Sequence, residues 1–126
     1  MFSAVFVYRG EFLKVKKVRI AFPTEGEKGL DDTVSRVFGR ANTFTIVDLE
    51  GKKIKNVRIL KNSALSYKSG VGPVVVKMLA DSKVDVVVAG EIGPGATTLL
   101  EQYKIKKIKV EPGIKVVEAI KSAKLT

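Results

Sequence analysis

The stretch Ser69–Ala96, SGVGPVVVKMLADSKVDVVVAGEIGPGA, decides how the rest of the chain is read. Val71, Val74, Val75, Met78 and Leu79 recur at helical spacing and form one apolar stripe. Val84-Asp85-Val86-Val87-Val88-Ala89 follows, nearly unbroken in its apolarity, the pattern of a strand buried on both faces. Gly90–Gly95 then opens a second helix, with Ala96, Leu99, Leu100 and Tyr103 again at helical spacing. A buried strand between two helices is the unit of an α/β sheet. The pair Gly70 and Gly72 matches neither nucleotide fingerprint, having no third spaced glycine and no Lys-Ser/Thr ending. Its meaning depends on where the loop sits.

Upstream, the period is that of strands. Lys17–Phe22 reads as a first core strand, stopped by Pro23. Thr43–Leu49 alternates as a second, Glu50-Gly51-Lys52 turns, and Ile54–Leu60 returns as the third. Val5–Tyr8 and Phe12–Val15, around Arg9-Gly10, suit an extra hairpin, and a change of phase predicts a bulge or break near Lys16-Lys17. Downstream, Ile105–Val110 is a short strand whose lysines suit a protected edge, and Val116, Val117, Ile120 and Ala123 mark a closing helix. The expected organisation is a single domain over 1–126, with an N-terminal extension at 1–15 and an α/β domain at 16–126.

The 126 residues suffice for one buried core, and an apolar fraction of 45% argues against disorder. There is no secretory n-region and no apolar run of bilayer length, so a cytoplasmic protein with no membrane partner is expected. The chain has no cysteine and no histidine, which excludes disulfides, thiolate nucleophiles, Cys/His zinc sites and imidazole catalysis. Abundant lysine with scarce methionine points to a thermophile. The net charge is +10, and residues 51–126, with 15 basic and 6 acidic side chains, hold +9 of it. Such an excess either attracts anionic partners or keeps a small domain in solution.

Three meandering strands followed by helix, strand, helix, strand, helix give a five-stranded mixed sheet. Right-handed crossovers make its order 3-2-1-4-5, with strand 2 antiparallel and helices on the faces. The winding reverses between strands 1 and 4. With the C-terminal end of strand 1 as the top, four loops converge there: 23–26, 38–40, 69–72 and 90–95. Open α/β sheets bind ligands at such a switch point. Two helix N-termini and Arg40 favour an anion, and the glycines admit it to backbone donors. The candidate binding residues are Thr24, Gly39, Arg40, Ser69, Gly70, Gly72, Glu91, Gly93 and Gly95, with no metal-ligating set. Steric preference alone also places Gly and Pro at helix starts.

The segments RIAFPTEG, LDDTVSRVFGRANTFTIVD, SGVGPVVVKMLADSKVDVVVAGEIGPGA and IKVVEAI resemble the dinitrogenase iron-molybdenum cofactor biosynthesis family, in that family's order, from about Val18 to Ile120. The resemblance implies a ribonuclease H-like three-layer fold. It also implies a non-catalytic carrier of an iron-molybdenum or other metal-sulfur cluster, held non-covalently and exchanged with a cofactor-assembly or acceptor protein. The chain departs from that family at Val37, where cluster-handling members often have histidine, at Ser69, where some have histidine, and at Glu91, where asparagine is usual. Without thiolate or imidazole, a cluster here is held by charge, N–H groups and shape. Glu91 repels an anion unless it is protonated or bridged by a hard cation such as Mg²⁺.

Two other functions bear weighing. Nucleic-acid binding would use Lys104, Lys106, Lys107 and Lys109, but the phenylalanines sit at strand or core positions and do not interleave with them. Ribonuclease H-type hydrolysis needs clustered carboxylates on two metals. Strand 1 carries none, and Asp48 belongs at the bottom edge, away from Glu25 and Glu91. The remaining polar candidates have structural readings: Asp31 or Asp32 caps a helical turn, Met78 fills core, and Thr97 and Thr98 bond backbone. Tyr67 either lines the pocket or packs.

Overall fold

The structure, a computed structural model, describes residues 3–8 and 11–125. Strands β1 (Ser3–Tyr8), β2 (Glu11–Thr24), β3 (Thr43–Glu50) and β4 (Lys53–Lys61) come first, with a 3-10 turn at Gly29–Asp31 after β2. Helix α1 (Val71–Asp81), β5 (Val86–Ala89), α2 (Pro94–Gln102), β6 (Lys106–Lys109) and α3 (Val116–Ser122) follow. The main path of the sheet is β4-β3-β2-β5-β6, the expected order of five strands, and β1 pairs with β2 off that path. The ladders β2–β3 and β3–β4 are antiparallel, while β2–β5 and β5–β6 are parallel.

Two expectations about β2 need correction. Pro23 does not stop the strand, which continues to Thr24 with Pro23 opposite Phe44. A strand residue's nitrogen and carbonyl point the same way, and the Pro23 carbonyl accepts from Ser35 N at 2.7 Å rather than from β3. The missing N–H therefore faces a side where β5, paired only at Ile20 and Ala21, makes no ladder. Nor does β2 break at Lys16-Lys17. That point is a handover, because Lys16 is the last residue paired with β1 and Lys17 the first paired with β3. The register shift lies in the β3–β4 ladder, where Asp48 faces Asn56 and Leu49 faces Ile54, leaving Lys55 as the extra residue.

Alternation along the strands sorts the core into two layers. Ala21, Phe44, Ile46, Val87 and Ala89 face α1 and α2 through Val75, Val76, Leu79, Ala96 and Leu100. Ile20, Phe22, Val47, Leu49, Val86 and Val88 face α3 through Val116, Ala119 and Ile120. The central β5, buried on both faces, needs an apolar residue at every position, which explains its VVVA sequence.

All three helices end by one device. Lys83, Lys104 and Lys124 have φ of 62°, 59° and 57°, the left-handed conformation that usually falls to glycine. At each end two backbone bonds close the turn: Val84 N to the Leu79 carbonyl, Ile105 N to Leu100, and Leu125 N to Ile120, alongside a shorter-range bond from the lysine N–H. The paired apolar residues Val84/Leu79 and Ile105/Leu100 lie in one core and Leu125/Ile120 in the other, as in a Schellman motif. The sequence signature is Leu/Ile, three residues, Lys, then an aliphatic, read three times.

The bottom edge is held by Arg19. Its Nε donates to Asp48 Oδ1 at 2.7 Å and its Nη1 to the Ser82 carbonyl at 2.8 Å, while its backbone N donates to Asp85 Oδ2 at 2.8 Å. Asp48 thus sits at the bottom in an ion pair. Partial burial pushes its carboxyl up, but the hydrogen bond and charge of Arg19, with Asn56 and Arg58, outweigh burial and hold it below the ordinary carboxylate range. The bond to Asp48, first, and its charge raise the Arg19 guanidinium in turn, against burial.

Two predictions follow from these contacts. Lys104→Gly, at a backbone conformation that disfavours a side chain, is expected to stabilise the domain by about 0.5–1 kcal/mol in denaturant unfolding. Asp48→Asn is expected to cost about 1 kcal/mol or less at neutral pH, since the pair is partly solvated. Because the folded-state value of Asp48 is depressed, that contribution is present above about pH 4 and fades as pH falls through the folded value. Urea melts of both proteins at several pH values should therefore converge on acidification.

Candidate functional site

The top edge is assembled around the segment 35–42. Its start hangs from β2 through the Ser35–Pro23 bond, and Val37 bridges Glu91 in parallel. Gly39 lies against the start of α1: a Cβ there would stand 3.3 Å from Val71 Cγ1 and 3.7 Å from Gly72 N. Asn42 Nδ2 donates to the Glu25 carbonyl at 2.8 Å. The N-terminus of α1 in turn touches that of α2, because a Cβ on Gly72 would stand 3.4 Å from Ala96 Cβ. The four loops read from the sequence thus meet at one edge.

The nine candidate residues divide sharply once placed. Gly70, at φ 71° and ψ 23°, is the N-cap of α1, and Gly93 is the N-cap of α2. Gly70, Gly93 and Gly95 have open space where a Cβ would stand. Ser69 is exposed beside them. Neither helix has a side-chain cap, so the first-turn amides of Val71, Gly72, Gly95 and Ala96 have no side-chain acceptor. Gly39 and Gly72, by contrast, are small because neighbouring chain packs on them.

Thr24 and Arg40 correct the expectation. Thr24 is fully buried, its hydroxyl bonded to Thr43 Oγ1 at 2.7 Å and Thr45 Oγ1 at 3.0 Å. A ligand at the edge cannot reach it. Arg40 is exposed, yet its guanidinium is turned onto the chain, donating to the Tyr67 carbonyl at 2.7 Å and the Lys68 carbonyl at 3.0 Å. It holds in place the loop that delivers Ser69 and Gly70, and its charge lies next to the α1 N-terminus. Tyr67 itself is 48% exposed, so its ring neither packs in the core nor is enclosed.

Glu91 is also exposed, but it is not alone. Lys109 Nζ donates to its Oε1 at 3.0 Å from the neighbouring strand. A groove of about 230 Å³ lined by Gly90, Glu91, Ile92, Thr97, Lys107, Ile108 and Lys109 opens beside α2. Two lysines and one carboxylate leave this side of the edge net positive. A larger groove of about 560 Å³ lies at the opposite end, around Arg19, Asp48 and Asp85.

Asn62 escaped the sequence reading. It is buried, its Nδ2 donates to the Gly39 carbonyl at 2.9 Å and the Ala41 carbonyl at 2.8 Å, and its Oδ1 accepts from Ala64 N at 2.9 Å. Its signal, a polar residue after a strand in KNSALSYK, is indistinguishable from that of an ordinary turn. Other polar residues take structural roles. Asp32 accepts from Lys28 N at 2.9 Å and Thr33 N at 2.8 Å, and Thr98 donates to the Pro94 carbonyl at 3.1 Å. Met78 packs against the core, as expected.

The donor chemistry is therefore amides and cations. With neither cysteine nor histidine in the chain, and no group of three or more metal-ligating side chains among the described residues, the edge fits an anion held by hydrogen bonds. It does not fit a soft metal ligated by the protein. No helix of the described residues is long and apolar enough to cross a membrane.

Comparison with known proteins gives this edge a context. A Methanocaldococcus jannaschii protein, MJ0580, is 34% identical over 95 residues, covering 75% of this chain and 76% of that protein. The apo form of the orange protein from Desulfovibrio gigas superposes with a TM-score of 0.74 at 31% identity, over 82% of this chain and 83% of the other. The Thermotoga protein TM1290 superposes with a TM-score of 0.69 at 33% identity, over 86% and 88%. The family described as dinitrogenase iron-molybdenum cofactor matches residues 16–125, which include β3 to β6, β2 from Lys16 onward, all three helices and every loop of the top edge. The chain belongs to the dinitrogenase iron-molybdenum cofactor family.

Proposed function

We propose that this protein is a non-catalytic carrier that holds an anionic metal cluster, or a related anionic cofactor, at the top edge and passes it to an assembly or acceptor protein. The observation that carries the reading is the side-by-side packing of two glycine-capped helix N-termini, closed at Gly72–Ala96 and open at Gly70, Gly93 and Gly95. Aligned amides at two converging helix ends favour an anion that bridges them. Membership of a family named for an iron-molybdenum cofactor supports a cluster as the anion, and the similarity to a protein with an apo form supports uptake of a ligand. The Glu91–Lys109 pair offsets the carboxylate, which removes the main electrostatic objection to a negative guest. On this reading the sheet is a ribonuclease H-like frame used for holding rather than for hydrolysis.

Gly93 gives a clean test, because its φ of −63° suits any L-residue and the space over it is open. Gly93→Val is expected to leave the domain folded, at a capping cost of about 1 kcal/mol or less, while covering the α2 amides. Calorimetric titration with molybdate and sulfate should show anion binding in wild type weakened at least about tenfold, or 1.4 kcal/mol, in the variant. Arg40→Ala is expected to weaken binding by about 1 kcal/mol or less, by freeing the loop before Gly70 and removing a nearby solvated charge. Mg²⁺ binding that is lost in Glu91→Asn, with no anion affinity in either protein, would reverse the sign of the ligand. Protein purified without oxygen should carry molybdenum, iron or another transition metal and a visible absorption band.

A further inference from the structure

The two ends of the main sheet path, β4 and β6, each expose a strand edge, and they are built differently. In β4 the register shifts at Lys55, and such a bulge spoils an edge as a template for another strand. Strand β6 keeps unbroken register with β5 from Lys106 to Lys109. Lys106 N donates to the Asp85 carbonyl and Val110 N to the Ala89 carbonyl, both at 3.0 Å. Alternation then turns the N–H and C=O of Lys107 and Lys109 outward, where no strand pairs with them among the described residues.

Along that edge runs a groove of about 510 Å³, floored by Leu100, Ile105 and Ile108. Its walls carry Lys104, Lys106 and Lys107, all exposed and without a salt-bridge partner among the described residues. Glu101 is the single acid among its lining residues. Lys107 and Ile108 also line the groove beside α2 at the top edge, so the two grooves adjoin.

We propose that β6 takes up an extended acidic segment of a partner protein as an added strand beyond the end of the sheet path. Charge complementarity selects this occupant. Lysines guard an edge against uncharged or basic strands, a copy of this +10 chain included, and attract an acidic one. An acidic strand here sets carboxylates beside Lys104, Lys106 and Lys107 and an aliphatic side chain over Ile105 and Ile108. The outward backbone decides between a peptide and a nucleic acid. Lys107 and Lys109 present both donors and acceptors in ladder spacing, which a peptide matches. A phosphodiester accepts hydrogen bonds but donates none, and leaves both outward carbonyls unsatisfied. Neither exposed tyrosine, Tyr67 or Tyr103, lines the groove, so bases find no stacking platform. The inference holds whether or not the top edge binds an anion.

The test is fluorescence anisotropy of a short capped peptide alternating glutamate and valine, titrated with the full chain at low salt. Saturable binding in the micromolar range is expected, weakening as salt rises. Lys104→Glu with Lys106→Glu should weaken it about tenfold or more, by turning two attractions into repulsions. Both side chains are exposed, so the variant keeps the fold. The same peptide methylated on every backbone nitrogen keeps its charge but loses its donors, and should not bind. In wild type the peptide should slow amide exchange at Lys107 and Lys109, a readout that does not depend on any variant. Absence of peptide binding at sub-millimolar protein overturns the proposal. Equal affinity for the methylated peptide, or unchanged exchange at Lys107 and Lys109, also overturns it and leaves charge attraction alone. An oligothymidylate of equal charge that binds more tightly than the peptide assigns the surface to nucleic acid instead. Molybdate binding should be equal in wild type and the double variant, so failure of this inference and failure of the carrier reading are separable.

Discussion

The structure depends on the short parallel seam between β2 and β5. Ile20 faces Val86 and Ala21 faces Val87, and these two pairs join the antiparallel half of the sheet to its parallel half. The seam is reinforced below by Asp85, whose N–H donates to the Arg19 carbonyl at 2.8 Å while its carboxylate accepts from Arg19 N at 2.8 Å. On either side the seam is covered by a helix layer, through Val87 on one face and Val86 on the other. Because strands run away from it in opposite winding directions, the chain leaves a gap above it. The segment 35–42 and the two helix starts close over that gap. The position of the candidate site is thus a consequence of sheet topology.

Glycines account for much of what composes that edge, and they serve different physical ends. Gly90 is needed because a Cβ would come within 2.9 Å of Pro112 Cγ, so the turn after β5 and the turn before α3 share one space. Gly72 lets α1 approach α2 at Ala96. At the helix starts, Gly70, Gly93 and Gly95 leave space unfilled. The packed glycines bring the helix ends together, and the open ones leave their amides bare. A single sequence pattern, glycine near a helix start, therefore conceals both jobs.

This explains what could be read in advance. Helix faces and the buried β5 were legible because burial imposes a period, and right-handed crossovers then restrict the strand order. The convergence of the loops followed from that order. Side-chain direction did not, since no period governs loops. Thr24 reads like a pocket residue because it falls in the loop after the first strand, yet the strand runs on to it, and Thr43 opposite and Thr45 diagonally across on β3 draw its hydroxyl inward. Arg40 reads as a free cation, yet two unpaired carbonyls at Tyr67 and Lys68 lie within reach of its planar fork. The Lys109 partner of Glu91 depends on β6 register, which pairs Lys109 with Ala89 just before the turn.

The choice of donors has a further consequence for a carrier. Thiolate or imidazole ligands form bonds to a metal whose strength and protonation couple binding to folding. Backbone amides and lysines form hydrogen bonds that each contribute modestly and exchange readily with water. Asn62 and Arg40 spend their donors on the carbonyls of Gly39, Ala41, Tyr67 and Lys68, fixing the loops without entering the open space over Gly93 and Gly95. The frame is thus held independently of any guest. An anion seated on such a frame is bound by preorganised dipoles, and its departure leaves no ligand unsatisfied in the core. On the carrier reading proposed above, a cluster held in this way is taken up and released without a protein–metal bond being made or broken.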